Sequence, residues 1–69
     1  MININKKLGN KIRELRKKKN LTQEELAHRS ALDYSYTNQI ENGKRNPSME
    51  AIERIAKALG VKAKDLLDF

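Results

Sequence analysis

The apolar residues of this 69-residue chain recur at helical spacing in five short blocks, and turn signals separate the blocks. In the first block they follow one another at steps of four, four and three: Ile4, Leu8, Ile12 and Leu15. The apolar stripe of the fourth block comprises Met49, Ile52, Ile55, Ala56 and Leu59. Such steps place side chains on one face of an α-helix, and no stretch alternates as a half-buried strand would. The pattern predicts an all-α fold, a compact bundle of four to five short helices.

The second and third helices are expected to be joined by a very short link. Thr22 opens T-Q-E-E, a capping-box pattern, and predicts a helix at about residues 22–30. Asp33 is a good N-cap and Gly43 suits the left-handed position after a helix, which predicts a helix at about 34–42. Only Ala31 and Leu32 separate the Ser30 end of the first of these helices from the Asp33 cap of the next. A link this tight joins short helices at a steep angle, as in a helix-turn-helix.

Three further features concern the packing and length of the helices. Gly9 lies inside the first helix, where glycine costs about 1 kcal/mol relative to alanine. We interpret it as a place where another helix comes close. Ser48 is predicted to cap the fourth helix. A short fifth helix is expected over about residues 63–68.

The length of the chain predicts one domain, spanning residues 1–69. A domain of about 60 residues buries only roughly 60% of its unfolded surface, so its stability is marginal. The chain has no cysteine, and the single His28 cannot assemble a metal site. Helix packing and self-association remain as sources of stability. No cofactor or small-molecule ligand is indicated.

No apolar run approaches the roughly 20 residues of a membrane span, and no secretion signal follows the basic start. The sequence therefore predicts a soluble, cytoplasmic protein. An enzyme is not indicated either, because the chain offers no nucleophile with a plausible general base.

The positive charge is concentrated in one segment. Residues 1–20 carry eight lysine and arginine residues and one glutamate, a balance of +7. Residues 21–47 carry three basic and four acidic groups, and residues 48–69 carry four of each, which gives the total of +6. A basic stripe indicates a polyanionic partner. A solvated lysine-rich helix face, or an amphipathic helix lying on a membrane surface, would share this pattern.

The stretch D-Y-S-Y-T-N-Q, between Leu32 and Ile40, contains no aliphatic side chain. On a helical wheel centred on Ile40, the residues on or beside the inward side are Asp33, Tyr36 and Thr37. The outward pole holds Ser35, Asn38 and Asn42, with Tyr34 and Gln39 on the shoulders. An ordinary exposed helix would carry Lys and Glu there. Amides and hydroxyls can instead bond base edges in the major groove, although a merely polar exposed face remains the alternative.

Three motifs together resemble the lambda-repressor-like (Xre/Cro-type) helix-turn-helix DNA-binding proteins. They are L-x-x-x-I-R-E-L-R-x-x-x-x-L-T-Q-E-E-L-A, then A-L-D-x-S-Y-x-x-x-I-E-N-G-K-R-N-P-S, then I-x-x-I-A-K-A-L-G-V. The resemblance extends from about Leu8 to Leu67. It implies that residues 22–30 form the positioning helix and 34–42 the recognition helix.

The resemblance also implies roles for single residues. Base reading would fall to Tyr34, Ser35, Asn38 and Gln39. Contacts with the DNA backbone would fall to Thr22, Gln23, Asn42, Lys44 and Arg45. Arg16 and Glu41 match family positions that often pair and tie the first helix to the recognition helix. Three residues depart from the family pattern. Tyr34 is bulky, and its hydroxyl could serve a base or a phosphate. Thr37 replaces an aliphatic residue, which predicts a weaker anchor, and Lys62 replaces a cap, which predicts fraying of the fifth helix.

The resulting expectation is a transcriptional regulator that binds double-stranded DNA as a homodimer on a palindromic operator. The dimer interface is expected to comprise part of the fourth helix and three apolar residues near the carboxyl end, Leu66, Leu67 and Phe69. The same residues could instead belong to the core. Compact family members include the controller proteins of restriction–modification systems and phage repressors. An antitoxin or another protein-interaction module could use the same fold.

Overall fold

A computed structural model describes residues 3–69, which form five α-helices and contain no β-strand. The helices are α1 (Ile4–Lys18), α2 (Gln23–Ser30), α3 (Tyr34–Glu41), α4 (Met49–Leu59) and α5 (Ala63–Leu66). The described part of the chain measures 32 × 22 × 21 Å. The predicted all-α fold is confirmed, and α2 and α3 agree within a residue with the helices predicted at 22–30 and 34–42.

Polar side chains begin the helices where the sequence predicted them. The Thr22 hydroxyl accepts from the Glu25 N–H at 3.0 Å, and the Glu25 carboxylate accepts from the Thr22 N–H at 2.8 Å. This reciprocal pair is the predicted capping box. Asp33 and Ser48 accept from the N–H groups of Ser35 and Ala51 in the same way. Each cap satisfies a donor that a helix start would otherwise leave without a partner.

The turn between α2 and α3 depends on a left-handed residue. Ala31 has a φ of 56°, and its N–H donates to the His28 carbonyl at 3.1 Å. The Leu32 N–H donates to the Ala27 carbonyl at 3.0 Å. These bonds close α2 and turn the chain at once into α3, which packs against α2. The short link therefore produces the predicted helix-turn-helix.

One core joins the five helices, and Gly9 permits a close helix contact within it. The fully buried apolar side chains include Ile12, Leu26, Ile40, Ile55, Leu59 and Leu66. A Cβ atom on Gly9 would lie 2.5 Å from the carbonyl oxygens of both Ile40 and Glu41. The interpretation of Gly9 as a point of close approach is confirmed, and the helix that approaches is α3.

Two members of the predicted apolar stripes lie outside the core. Ile4 is 61% exposed and Met49 is 59% exposed. Each is the first residue of its helix. Membership of an apolar stripe therefore does not place these two side chains in the core.

The fifth helix is shorter than predicted, ending at Leu66 instead of about residue 68. Lys62 has no side-chain acceptor, so only its N–H takes part in the cap, donating to Asp65 at 2.9 Å. Leu66 is completely buried, whereas Leu67 and Phe69 are exposed. Of the three residues suggested for a dimer interface, Leu66 must therefore be assigned to the core, because a partner could not reach it.

Within residues 3–69, each helix is too short or too polar to cross a lipid bilayer.

Candidate nucleic-acid interface

The outer face of α3 is made of amide and hydroxyl groups. Thr37 and Ile40 are buried, whereas Ser35 and Asn42 are exposed and Tyr34 is 47% exposed. The side chains of Asn38 and Gln39 are half-buried. The helical wheel is therefore correct for Ser35, Thr37 and Asn42. Asn38, which it placed at the outward pole, is half-buried, and Asp33, which it placed beside the inward side, is exposed. The face presents donors and acceptors to solvent, without a charged group at its centre.

Thr37 shows how a polar residue can occupy a core position in α3. Its side chain is fully buried, and its hydroxyl donates to the Asp33 carbonyl at 3.0 Å. The same carbonyl accepts the Thr37 N–H. Because the hydroxyl has a partner, burial leaves no donor without a hydrogen bond.

A buried ion pair ties α1 to the end of α3. Arg16 Nε lies 2.7 Å from Glu41 Oε2, and Arg16 Nη2 donates to Oε1 at 3.1 Å. The Glu41 side chain is completely buried. Arg16 Nη1 also donates to the Leu21 carbonyl at 2.7 Å. The guanidinium therefore bonds both the Glu41 carboxylate and the backbone just before α2. The predicted pair is formed, and its two-point geometry fixes the orientation of both side chains.

Gln23 connects the start of α2 with the outer face of α3. Its Nε2 donates to Glu41 Oε1 at 3.1 Å. Its Oε1 accepts from Asn38 Nδ2 at 2.9 Å and from the Tyr34 hydroxyl at 3.3 Å. Gln23 was predicted to contact phosphate, and the structure gives its side chain an internal role as well. The two helices thus share one polar network at the protein surface.

The loop after α3 places cationic groups beside the same face. Gly43 has a φ of 71°, and the following Lys44 is exposed. Arg45 Nη1 donates to Gln39 Oε1 at 3.3 Å, and its guanidinium lies 5.0 Å from the centre of the Tyr36 ring. Stacking on an aromatic ring is favourable for a guanidinium and holds it in place. Arg45 is therefore fixed near the carboxyl end of α3 instead of extending freely into solvent.

Two contributing residues, Arg13 and Tyr36, were not predicted as part of the site. Arg13 Nη2 donates to Asn42 Oδ1 at 2.9 Å, and its Nε lies 3.5 Å from Glu41 Oε1. Arg13 precedes Arg16 by one turn of α1, so this spacing was a usable signal. The Tyr36 ring supports Arg45, and its hydroxyl accepts from the Ser48 N–H at 3.3 Å.

The geometry of α2 and α3 agrees with a comparison of the sequence with known families. The profile of a family described as "Helix-turn-helix" matches residues 12–66. The chain belongs to this helix-turn-helix family. The match includes all of α2, α3 and α4, and the turn at Ala31 lies between the two helices that give the family its name.

Similar helix-turn-helix proteins include control proteins found in bacteria. The chain is 50% identical over 68 residues to the control protein C.BamHI of Bacillus amyloliquefaciens, covering 97% of this chain and 84% of that protein. It is 43% identical over 67 residues to the control protein C.MunI of a Mycoplasma species, covering 96% and 90%. These alignments span nearly the whole of both partners.

A solved helix-turn-helix structure has the same fold. The restriction–modification controller protein C.AhdI of Aeromonas hydrophila superposes with a TM-score of 0.88 and 44% identity. The superposition covers 90% of this chain and 94% of that protein. In helix-turn-helix proteins the second helix of the motif enters the major groove. In this chain that helix is α3, which carries the amide-and-hydroxyl face.

Proposed function

We propose that this protein is a transcriptional regulator of the controller type, which binds double-stranded DNA by inserting α3 into the major groove. The observation that carries the proposal is the outer face of α3, which presents amides and hydroxyls with exposed cationic residues beside it. The major groove of B-DNA admits an α-helix, and its base edges offer donors and acceptors that such side chains recognise.

The side chains divide into two groups by chemistry and position. We assign base recognition to the residues on the outer face and shoulders of α3: Tyr34, Ser35, Asn38 and Gln39. We assign contacts with the DNA backbone to Thr22, Gln23, Asn42, Lys44 and Arg45. The start of α2 supports this division, because a helix N-terminus favours an anion such as phosphate. Backbone contacts fix the register, while base contacts carry the sequence information.

We further propose that the protein acts as a homodimer on an operator with two-fold symmetry. The recognition helices of such a dimer lie about 34 Å apart, one turn of DNA. A protomer with a longest dimension of 32 Å suits one half-site of this spacing. The exposed apolar side chains of Leu67 and Phe69 support an interface near the carboxyl end.

Selection from a library of randomised duplexes tests the proposal. The expected result is enrichment of one sequence with two inverted half-sites, bound by a species with twice the mass of the chain in sedimentation. The complex with this sequence should resist competition by unrelated duplexes at physiological salt. Base contacts add affinity to that of the nonspecific contacts with phosphates, which all duplexes share. Binding that remains equal for all duplexes would contradict a regulator with sequence preference.

A further inference from the structure

Five side chains of α1, α2, α3 and the cap of α3 form a closed ring, which includes two residues of the outer face of α3. They are Arg13, Gln23, Asn38, Glu41 and Asn42. Arg13 donates to Asn42 Oδ1 at 2.9 Å, and Asn42 Nδ2 donates to Asn38 Oδ1 at 3.2 Å. Asn38 Nδ2 donates to Gln23 Oε1 at 2.9 Å, and Gln23 Nε2 donates to Glu41 Oε1 at 3.1 Å. Arg13 Nε, 3.5 Å from that same oxygen, closes the ring.

The two charged members of the ring determine the direction of every hydrogen bond in it. A carboxylate can only accept, so Gln23 must turn its NH2 group toward Glu41 and its oxygen toward Asn38. A guanidinium can only donate, so Asn42 must turn its oxygen toward Arg13 and its NH2 group toward Asn38. Asn38 is therefore constrained from both sides, with its NH2 group toward Gln23 and its oxygen toward Asn42.

This constraint leaves Asn38 with a fixed pattern for a ligand. One N–H of Nδ2 and one lone pair of Oδ1 remain unused within the ring. Asparagine reads adenine by donating to N7 and accepting from the N6 amino group. If the amide were rotated by 180°, its donor and its acceptor would exchange places. That reversed order matches the same base pair when adenine lies on the opposite strand. The direction of the amide thus distinguishes A·T from T·A.

We propose that Glu41 and Arg13 are positioning residues that hold the Asn38 amide in one direction, and so make it select adenine on one strand at one operator position. The proposal rests on the proposed function. It gives Glu41 a role beyond its ion pair with Arg16, because Oε1, which Arg16 Nη2 also reaches, accepts from Gln23 and lies 3.5 Å from Arg13 Nε. The buried carboxylate of Glu41, at the carboxyl end of the recognition helix, becomes a determinant of the base that this helix prefers.

The experiment begins by locating the base pair that Asn38 reads. Selection with wild-type protein and with Asn38→Ala identifies the operator position whose preference collapses in the variant. At that position the wild-type protein should prefer adenine to thymine roughly tenfold or more, as expected for a good bidentate contact. Binding constants for the two duplexes that differ only at this base pair then give the ratio.

Two sets of variants test the ring. Glu41→Gln replaces the acceptor-only group by an amide that can face either way, and circular dichroism shows whether it folds. Gln23→Met with Asn42→Ala frees Asn38 on both sides while leaving the Arg16–Glu41 pair in place. We expect the adenine-over-thymine ratio of this double variant to fall close to one. Each single substitution should give an intermediate ratio, because one hydrogen bond still orients Asn38.

Arg45→Ala is the matched control, since it removes a predicted DNA contact outside the ring. It should lower the affinity for both duplexes and leave their ratio unchanged. A double variant that binds more weakly but keeps the wild-type ratio would overturn the inference, as would an Asn38→Ala protein with unaltered preference at every position. If the wild-type protein selects no sequence at all, the proposed function itself fails, so the two failures are distinguishable.

Discussion

Gly9 has no side chain at the point where α1 and α3 meet. A Cβ atom there would lie 2.5 Å from two backbone oxygens, closer than the helices can tolerate without moving apart. Alanine is the better helix former by about 1 kcal/mol, so local propensity alone would favour the substitution. We expect Gly9→Ala nevertheless to lower the free energy of unfolding by roughly 1–3 kcal/mol, as overpacking of a core does. Urea denaturation measures the difference.

The neighbouring position provides the control for Gly9→Ala. Asn10 is exposed on the same helix, and Asn10→Ala should leave the stability unchanged or raise it slightly. If Gly9→Ala proved as stable as Asn10→Ala, the close approach of α3 would not be what requires glycine.

Ala31 is the reverse case, a residue with a side chain where glycine would fit better. Its φ of 56° is in the left-handed region, which costs an L-residue roughly 1–2 kcal/mol. Ala31→Gly relieves this cost but increases the freedom of the unfolded chain, so we expect a net stabilisation of up to about 1 kcal/mol. Thermal unfolding gives the sign. Ala58→Gly, in the regular helix α4, should destabilise the protein by about 1 kcal/mol, and the same sign for both variants would contradict the argument.

At the scale of elements, the sequence was most informative about where helices start. The caps at Thr22, Asp33 and Ser48 depend on residues within three positions, so local sequence determines them. Periodicity was less reliable at helix ends, where Ile4 and Met49 continue an apolar stripe but are 61% and 59% exposed. The spacing of Arg13 and Arg16 places both side chains on the same side of α1, but the partner Asn42 lies 29 residues away, and no local pattern identifies it.

The capping box of α2 makes a pH-dependent contribution to stability. The Thr22 backbone N–H, together with the Thr22 hydroxyl, lowers the pKa of Glu25 below its ordinary value of 4.5. A lowered pKa means that the folded state favours the ionised carboxylate. Its contribution is therefore present above pH 4.5 and is lost as the pH falls through the lowered pKa. We expect the stability difference between wild type and Glu25→Gln to shrink below about pH 4.5.

Glu24→Gln is the control for this titration, since it removes the same charge from the same helical turn. Glu24 is exposed and was not assigned to the cap. Urea midpoints are measured from pH 7 to pH 3. As the pH falls, the difference between wild type and Glu25→Gln should shrink more than the difference between wild type and Glu24→Gln. Equal shrinkage would mean that general charge, and not the capping box, causes the effect.

Two adjacent leucines at the end of α5 have different environments. Leu66 is fully buried and Leu67 is 42% exposed. We expect Leu66→Ala to cost roughly 2–5 kcal/mol, a large part of the stability of so small a domain. Leu67→Ala should leave monomer stability nearly unchanged and weaken self-association. Denaturation and sedimentation equilibrium, made on both variants, separate the effects. A dimer unaffected by Leu67→Ala would exclude this residue from the interface.

At the scale of the whole molecule, the excess positive charge lies on α1 and on the residues next to it. The net charge of +6 comes from the first twenty residues, yet Arg13 and Arg16 direct their guanidinium groups toward α3 and Glu41. The exposed lysines of α1 remain available to attract a polyanion from a distance, an effect that salt screens. Under the proposed function, α1 would supply the long-range attraction and α3 the base recognition.

The Arg45→Ala variant tests how much one positive charge contributes to the affinity for DNA. Arg45 lies against Tyr36 and Gln39, beside the recognition face, where a phosphate contact is proposed. If it neutralises one phosphate, Arg45→Ala should weaken binding to every duplex and reduce the slope of log affinity against log salt by about one unit. Titrations with specific and unrelated duplexes at several salt concentrations measure both effects.

Lys64→Ala is the control for Arg45→Ala. It removes the same charge from α5, which packs on α1 and α4, and should leave the slope nearly unchanged. A loss confined to the operator sequence would instead assign Arg45 to base recognition, because a phosphate contact weakens all duplexes alike.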